Sequence, residues 1–223
     1  MTRLPVTALV VAKAPVPGLA KTRLAATVGD QIAAVIASAA LLDTLDAVLA
    51  TPVARRVVAL TGDLDEARNG AAIQDRLGEF TVVPQRGDTF AERLVHAHAD
   101  AAAAAGERPI IQIGMDTPQV TDELLARCAT ALLGTDAVLG PATDGGWWLL
   151  GVRHAKMAGC LRGVPMSRAN TGELTVKALR NNNLEVSVLD ELADVDTAAD
   201  VDRVRRSCPP GTRFAFATAA AGL

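Results

Sequence analysis

The sequence predicts an α/β fold on a mixed, mainly parallel sheet with helices on both faces, and three features carry the prediction. Short apolar runs alternate with longer helical stretches through the first two-thirds of the 223 residues, the order that βαβ units require. Runs such as TALVVA at 7–12 are nearly continuous, which suits strands buried on both faces. Half of the residues are hydrophobic, mostly Ala, Val and Leu, with four Phe, two Trp and no Tyr, a composition for close helix-on-sheet packing around a sizeable core.

The first strand, 7–12, leads through a Pro-rich loop to a helix at 31–50 with a broad apolar stripe. A second strand at 55–62 is followed by a helix at 64–78 that Gly70 interrupts, and a third strand at 80–85 by a helix that stops at Gly106. The fourth strand, 109–116, precedes a helix at 121–134 with Thr121 as its N-cap and acids in its first turn. Residues 136–144 and 146–152 read as paired strands, an antiparallel addition at one edge of the sheet. A helix at 172–181, a strand at 184–189 and a short helix after Thr197 complete the order. Without repeats or linkers, residues 1–207 read as one domain, and 208–223 as a loosely held tail.

Composition removes several function classes. A formal net charge of -3 argues against a nucleic-acid surface held by bulk electrostatics. Cys128, Cys160 and Cys208 are widely spaced and form no CxxC, as in a reduced protein without a zinc site. The first apolar run is broken by Lys13 and Pro15, too short for a signal-peptide core or a membrane span, so a soluble cytoplasmic protein is expected. His96 and His98 lie two apart on a helix and cannot make an HExxH-like site, and no nucleophile is assigned.

In an α/β sheet ligands bind at the carboxyl ends of the strands, so the loops there hold the candidates. AKAPVPGLAKTRL at 12–24 departs from the Walker A pattern, with Gly18 three residues before Lys21 and Ala20 in place of the last glycine. Its Lys13, Lys21 and Arg23 suit either a diphosphate seat in a loop stiffened by Pro15 and Pro17 or solvated surface charge. After the third strand, Gln85 and Asp88, with Arg93 a turn further on, suit a base or a sugar; Asp88 or Thr89 equally suits a helix cap. Asp116 directly follows the fourth strand and reads as a metal ligand or a turn residue. Asp144-Gly145-Gly146 is a hairpin signal ahead of Trp147-Trp148, of which one must enter the core and the other can line a cleft. In DVDTAAD, Thr197 and Asp200 form a capping box, leaving Asp194 and Asp196 open.

Taken together, AKAPVPGLAKTRLA, PQRGDTFAERL, IGMDTPQVT, LGPATDGGWWLLGV and LADVDTAADVDRV resemble the bacterial DUF2064 family, glycosyltransferase-like proteins of the GT-A nucleotide-diphospho-sugar transferase superfamily, from about Leu9 to Val204. The resemblance implies a Rossmann-like three-layer sandwich that binds a nucleotide. It puts Lys21 and Arg23 near phosphates, with Lys13 counted beside them from its place in the same loop, and Gln85, Asp88 and Arg93 near the nucleotide or sugar. It implies Asp116 and Asp196 as ligands of Mg²⁺ or Mn²⁺, and Asp144 on the acceptor side as the catalytic candidate. Trp147-Trp148 stand where tyrosines commonly follow DGG, Thr117 where Cys or Ser is frequent, and 163–172 lacks a tryptophan before its Ser.

Three functions follow from the resemblance. The first is a metal-dependent glycosyltransferase that uses a nucleotide-sugar and a small-molecule acceptor, with no nucleic-acid or membrane partner. The second is a nucleotidyltransferase, since the opening loop also resembles that of phospholactate guanylyltransferases. The third is a nucleotide-binding protein without catalysis.

Overall fold

A computed structural model describes residues 3–223. In chain order the elements are β1 (Leu4–Lys13), α1 (Thr22–Val28), α2 (Asp30–Ala50), β2 (Val53–Thr61), α3 (Gly70–Leu77), β3 (Thr81–Pro84), α4 (Phe90–Ala105), β4 (Ile110–Ile113), α5 (Asp122–Leu133), β5 (Ala137–Pro141) and β6 (Trp147–Val152). A 3-10 helix (Ala155–Gly163), α6 (Thr171–Asn181), β7 (Val186–Val188), α7 (Ala198–Ser207) and α8 (Arg213–Ala220) follow. The strands form one seven-stranded sheet in the order β3-β2-β1-β4-β6-β5-β7.

The sheet is parallel except at β6, which runs antiparallel to both β4 and β5. The antiparallel strand is therefore inside the sheet and not at its edge, because the hairpin after Pro141 folds β6 back into the gap beside β4. From β1 the sheet grows to β2 on one side and to β4 on the other. This reversal opens a crevice at the carboxyl ends of β1 and β4, the usual ligand position in open α/β sheets.

Side chains that alternate along the strands feed two cores. On one face Val10, Ile111 and Ile113 pack with Leu41 and Leu45 of α2 and Leu125 of α5. On the other, Leu9, Ile110 and Leu150 pack with Leu94 and Ala101 of α4 and Leu161 of the 3-10 helix. A third cluster lies outside α2, where Ala33, Ile36 and Ala40 meet Leu24, Val201, Val204 and Phe214. By length and a mean hydropathy of 1.9, α2 could cross a membrane; it is instead covered on two sides, as a helix apolar all round must be.

Residues 208–223 are not a loose tail. Phe214 is fully buried, which stabilises by about 2–3 kcal/mol, and Asp43 of α2 accepts the backbone N–H groups of Arg213 and Phe214 at 3.1 and 2.8 Å. The helix expected at 64–78 is confined to Gly70–Leu77: the chain turns at Asn69, φ 55°, and a Cβ at Gly70 would overlap the Leu64 carbonyl. Thr121 caps α5 as its sequence position predicts, accepting from the Leu124 N–H at 3.2 Å.

Candidate functional site

A cavity of about 730 Å³ opens at the carboxyl ends of β1 and β4, within the range of small-molecule sites. The loop after β4 carries Asp116 and Thr117 into it, and the β5–β6 turn carries Asp144. Asp194 and Asp196 arrive from the far end of the chain. Their segment is laid across the strand ends by hydrogen bonds from Val195 N–H to Asp116 O at 3.0 Å and from Thr143 N–H to Leu192 O at 3.0 Å. Four carboxylates thus line one cavity with the cations Lys13, Arg23, Arg93 and Arg168.

The opening loop meets these acids directly. Lys21 sits at the N-cap of α1 in the left-handed region, φ 50°, a conformation costly for a non-glycine residue. Its Nζ is 2.7 Å from Asp116 Oδ1 and also donates to the Val195 carbonyl. Arg23 pairs with Asp196, and Lys13 Nζ donates to Leu19 O at 2.8 Å across its own loop. Lys13 and Arg23 face the cavity, whereas Lys21 is 9% exposed behind Asp116. Burial first, and the neighbouring Asp144 carboxylate second, push Asp194 above the ordinary carboxylate range.

Of the residues after β3, Gln85 lines the cavity and its Nε2 donates to Ala12 O at 2.8 Å and Ala59 O at 3.0 Å, tying β1 to β2. Arg93 lines it while its Nε donates to Gly87 O at 3.1 Å. Asp88 is the exception: it is exposed outside the cavity lining, and its backbone N–H donates to Glu92 at 3.0 Å. Thr89 and Glu92 form the capping box of α4, and this turn directs Asp88 to solvent.

At Asp144, Oδ1 accepts the Gly146 N–H at 2.7 Å, so the hairpin and ligand readings of this residue coincide. The turn is pressed against the loop before α6: Gly145 has φ 86°, and a Cβ on it would overlap the Ala169 carbonyl oxygen. A Cβ on Gly172 would overlap the Gly146 oxygen. Trp148 is buried with its Nε1 donating to Asp190 O at 3.0 Å, while Trp147 is half-buried in the cavity wall.

Among the cavity residues that the sequence gives no role, Asp194 lies two positions from Asp196 and Arg168 in a segment without periodicity. Gln112 belongs to a run that reads only as a strand. Thr117 is 3% exposed and its buried Oγ1 has no partner among the described residues.

The donor set suits a hard cation. Among the described residues no group of three or more His, Cys, Asp or Glu side chains is placed to hold a metal ion alone. Mg²⁺ and Mn²⁺ instead take one or two carboxylates together with substrate phosphates. A cationic ammonium already rests on Asp116, so positive charge fits at this point.

Residues 44–168, more than half of the chain, match the family described as "Uncharacterized protein conserved in bacteria (DUF2064)". No curated protein matches the sequence. A crystal structure from Desulfovibrio desulfuricans G20, provisionally named a nucleotide-diphospho-sugar transferase, is 27% identical with a TM-score of 0.83, covering 100% of this chain and 96% of that one. CMP:2-keto-3-deoxy-manno-octonic acid synthetase complexed with CTP is similar at TM-score 0.57 and 14% identity, over 91% of this chain and 97% of that chain. Rv0371C from Mycobacterium tuberculosis H37Rv, in complex with manganese, is similar at TM-score 0.53 and 21% identity, over 90% and 97%. The fold is that of the nucleotidyl and nucleotide-diphospho-sugar transferases.

Proposed function

This chain belongs to the DUF2064 family of bacterial proteins, and we propose that it is a nucleotide-utilising transferase that moves a glycosyl group from a nucleotide-diphospho-sugar to a small-molecule acceptor. The observation that carries this reading is the meeting of Asp116, Asp144, Asp194 and Asp196 with Lys13 and Arg23 in one strand-end cavity. Opposite charges in alternation suit a diphosphate held together with a divalent cation. The likeness to structures named for nucleotide-sugar transfer and for CTP and manganese complexes supports the same ligands.

Asp116, with Asp194 or Asp196, would hold Mg²⁺ or Mn²⁺; the ion supplies positive charge to the diphosphate as the leaving group departs. Lys13 and Arg23 face the cavity to bind the phosphate oxygens, and Lys21 joins them when it leaves Asp116. The Gly146 N–H anchors Asp144 Oδ1. The Asp144 carboxylate is then oriented to accept the proton of the acceptor hydroxyl as that oxygen bonds to the anomeric carbon and the sugar–diphosphate bond breaks. Arg93 and Gln85 complete the nucleotide end, and Arg168 the acceptor wall.

Incubation with UDP-, GDP- and CDP-sugars and with the four nucleoside triphosphates, each with Mg²⁺ and a pooled hydroxyl-acceptor library, tests the proposal. Release of free nucleoside diphosphate with loss of the sugar is expected. Release of pyrophosphate from a triphosphate would replace glycosyl transfer with nucleotidyl transfer.

A further inference from the structure

Beneath the charged rim the cavity has a different character. Val11, Phe90, Leu94, Trp147 and Met166 line it on the α4 side, and beside them stand two amides: Gln85, whose Nε2 is taken by the Ala12 and Ala59 carbonyls, and Gln112 of β4. Gln112 is 2% exposed and His98, behind it on α4, is fully buried. The two are joined by one hydrogen bond, 3.1 Å between His98 Nε2 and Gln112 Oε1.

The direction of this bond follows from what the other ring nitrogen lacks. His98 Nδ1 is buried and meets no partner among the described residues. A buried N–H without an acceptor costs about 1–3 kcal/mol, more than an unfilled lone pair does. The proton therefore belongs on Nε2, which donates to Gln112, and Nδ1 keeps its lone pair. Burial pushes the imidazole pKa down to about 4, so the ring is neutral near pH 7 and this tautomer persists. With Oε1 occupied by His98, the Nε2 amide of Gln112 is the end left for the cavity. Among the described residues nothing accepts a hydrogen bond from it.

We propose that Gln112 reads an uncharged hydrogen-bond acceptor of the nucleotide ligand, a base carbonyl, a ring nitrogen or a sugar oxygen, and that His98 is the positioning residue that turns the amide N–H₂ toward it. The proposal rests on the cavity being the nucleotide-transferase site described above. An apolar wall around one fixed donor selects strongly: a ligand without the matching acceptor leaves a buried amide unpaired.

Two measurements test it. Long-range ¹H–¹⁵N spectra of the three histidines should show His98 as the Nε2–H tautomer and without titration between pH 5.5 and 8. An Nδ1–H tautomer overturns the proposal. Calorimetric titration with ATP, CTP, GTP, UTP, UDP-glucose and GDP-mannose in Mg²⁺ should give at least one ligand for the wild-type chain. For that ligand Gln112→Met should bind about tenfold more weakly. Gln112→Leu, which also lacks a donor and adds no charge, should do the same and serves if the Met exchange unfolds the chain. Loss shared by every ligand with one base places the acceptor on the base, and loss confined to the sugar nucleotides places it on the sugar. Wild-type affinity in both folded variants overturns the inference and leaves the functional reading standing. Absence of any binding to the wild-type chain overturns both.

Discussion

Asp43 and Asp116 both meet a cation, and they are built for opposite purposes. Asp43 is 8% exposed, and its oxygens accept two backbone N–H groups and the Arg213 guanidinium. Burial is the largest influence on it and raises its pKa, with those bonds in opposition. The Asp116 side chain is 44% exposed to the cavity and has Lys21 on one oxygen. A carboxylate filled by backbone donors holds a helix in place. One held by a single ammonium, with its other oxygen open to the cavity, can exchange that partner for a ligand.

The largest test of this contrast is Asp116→Asn. Turnover with a nucleotide-sugar and Mg²⁺ should fall by about 10²–10³-fold, the range for removing a group that acts on transition-state charge. Thermal stability should fall by no more than about 1–2 kcal/mol: Lys21 is nearly buried, but the Asn Oδ1 and the Val195 carbonyl can still accept from its Nζ. Preserved turnover would remove Asp116 from the site.

Acid exposes the second contrast, between an exposed charge and a group buried neutral. The folded pKa of His98, about 4, lies below its ordinary value of 6.5, so the native state binds fewer protons between the two. Stability falls as pH drops through this window, by about 3 kcal/mol once both values are passed. Urea melts of wild type and His98→Gln from pH 7 to pH 4 should show the difference between the two chains changing by that amount; a constant difference contradicts it.

Asp43→Ala should lose about 2 kcal/mol, from the cap and the buried donors it leaves. A midpoint lower by about 4–8 °C and cleavage near α8 under mild proteolysis are the expected readings, with turnover unchanged at a temperature where the chain is folded. Arg23→Ala marks the low end: its partner Asp196 is also partly exposed, and the stability change should stay under about 0.5 kcal/mol while nucleotide titration shows weaker binding.

The sequence exposes what local chemistry decides. Thr121 and the Thr89–Glu92 pair are readable because a cap and its helix are neighbours in the chain. Asp116 is readable because a carboxylate directly follows an apolar strand. By contrast α8 is invisible in PPGTRFAFATAAAGL: its eight residues lack a helical stripe, and the Asp43 that secures it lies 170 residues earlier. Gln112 reads as an ordinary strand residue until His98 is behind it. The 3-10 helix hides in AKMAGCLRG, where two glycines erase the period. In DVDTAAD, spacing gives the capping residues but not that Asp194 and Asp196 both reach the cavity, where the bond from Val195 to Asp116 holds their segment.

The contact of the DGG turn with the loop before α6 also bears on how such a site changes its taste. What docks there is backbone: the Gly172 N–H on the Gly145 oxygen at 2.8 Å, and the Ala169 carbonyl against Gly145. The side chains that this loop sends into the cavity, Met166, Ser167 and Arg168, take no part in that docking. The loop is an exchangeable cassette on a glycine hinge pin. Its side chains can be recast for a new acceptor while the frame stays in register, whereas one methyl group at Gly145 would push the whole wall off its mount.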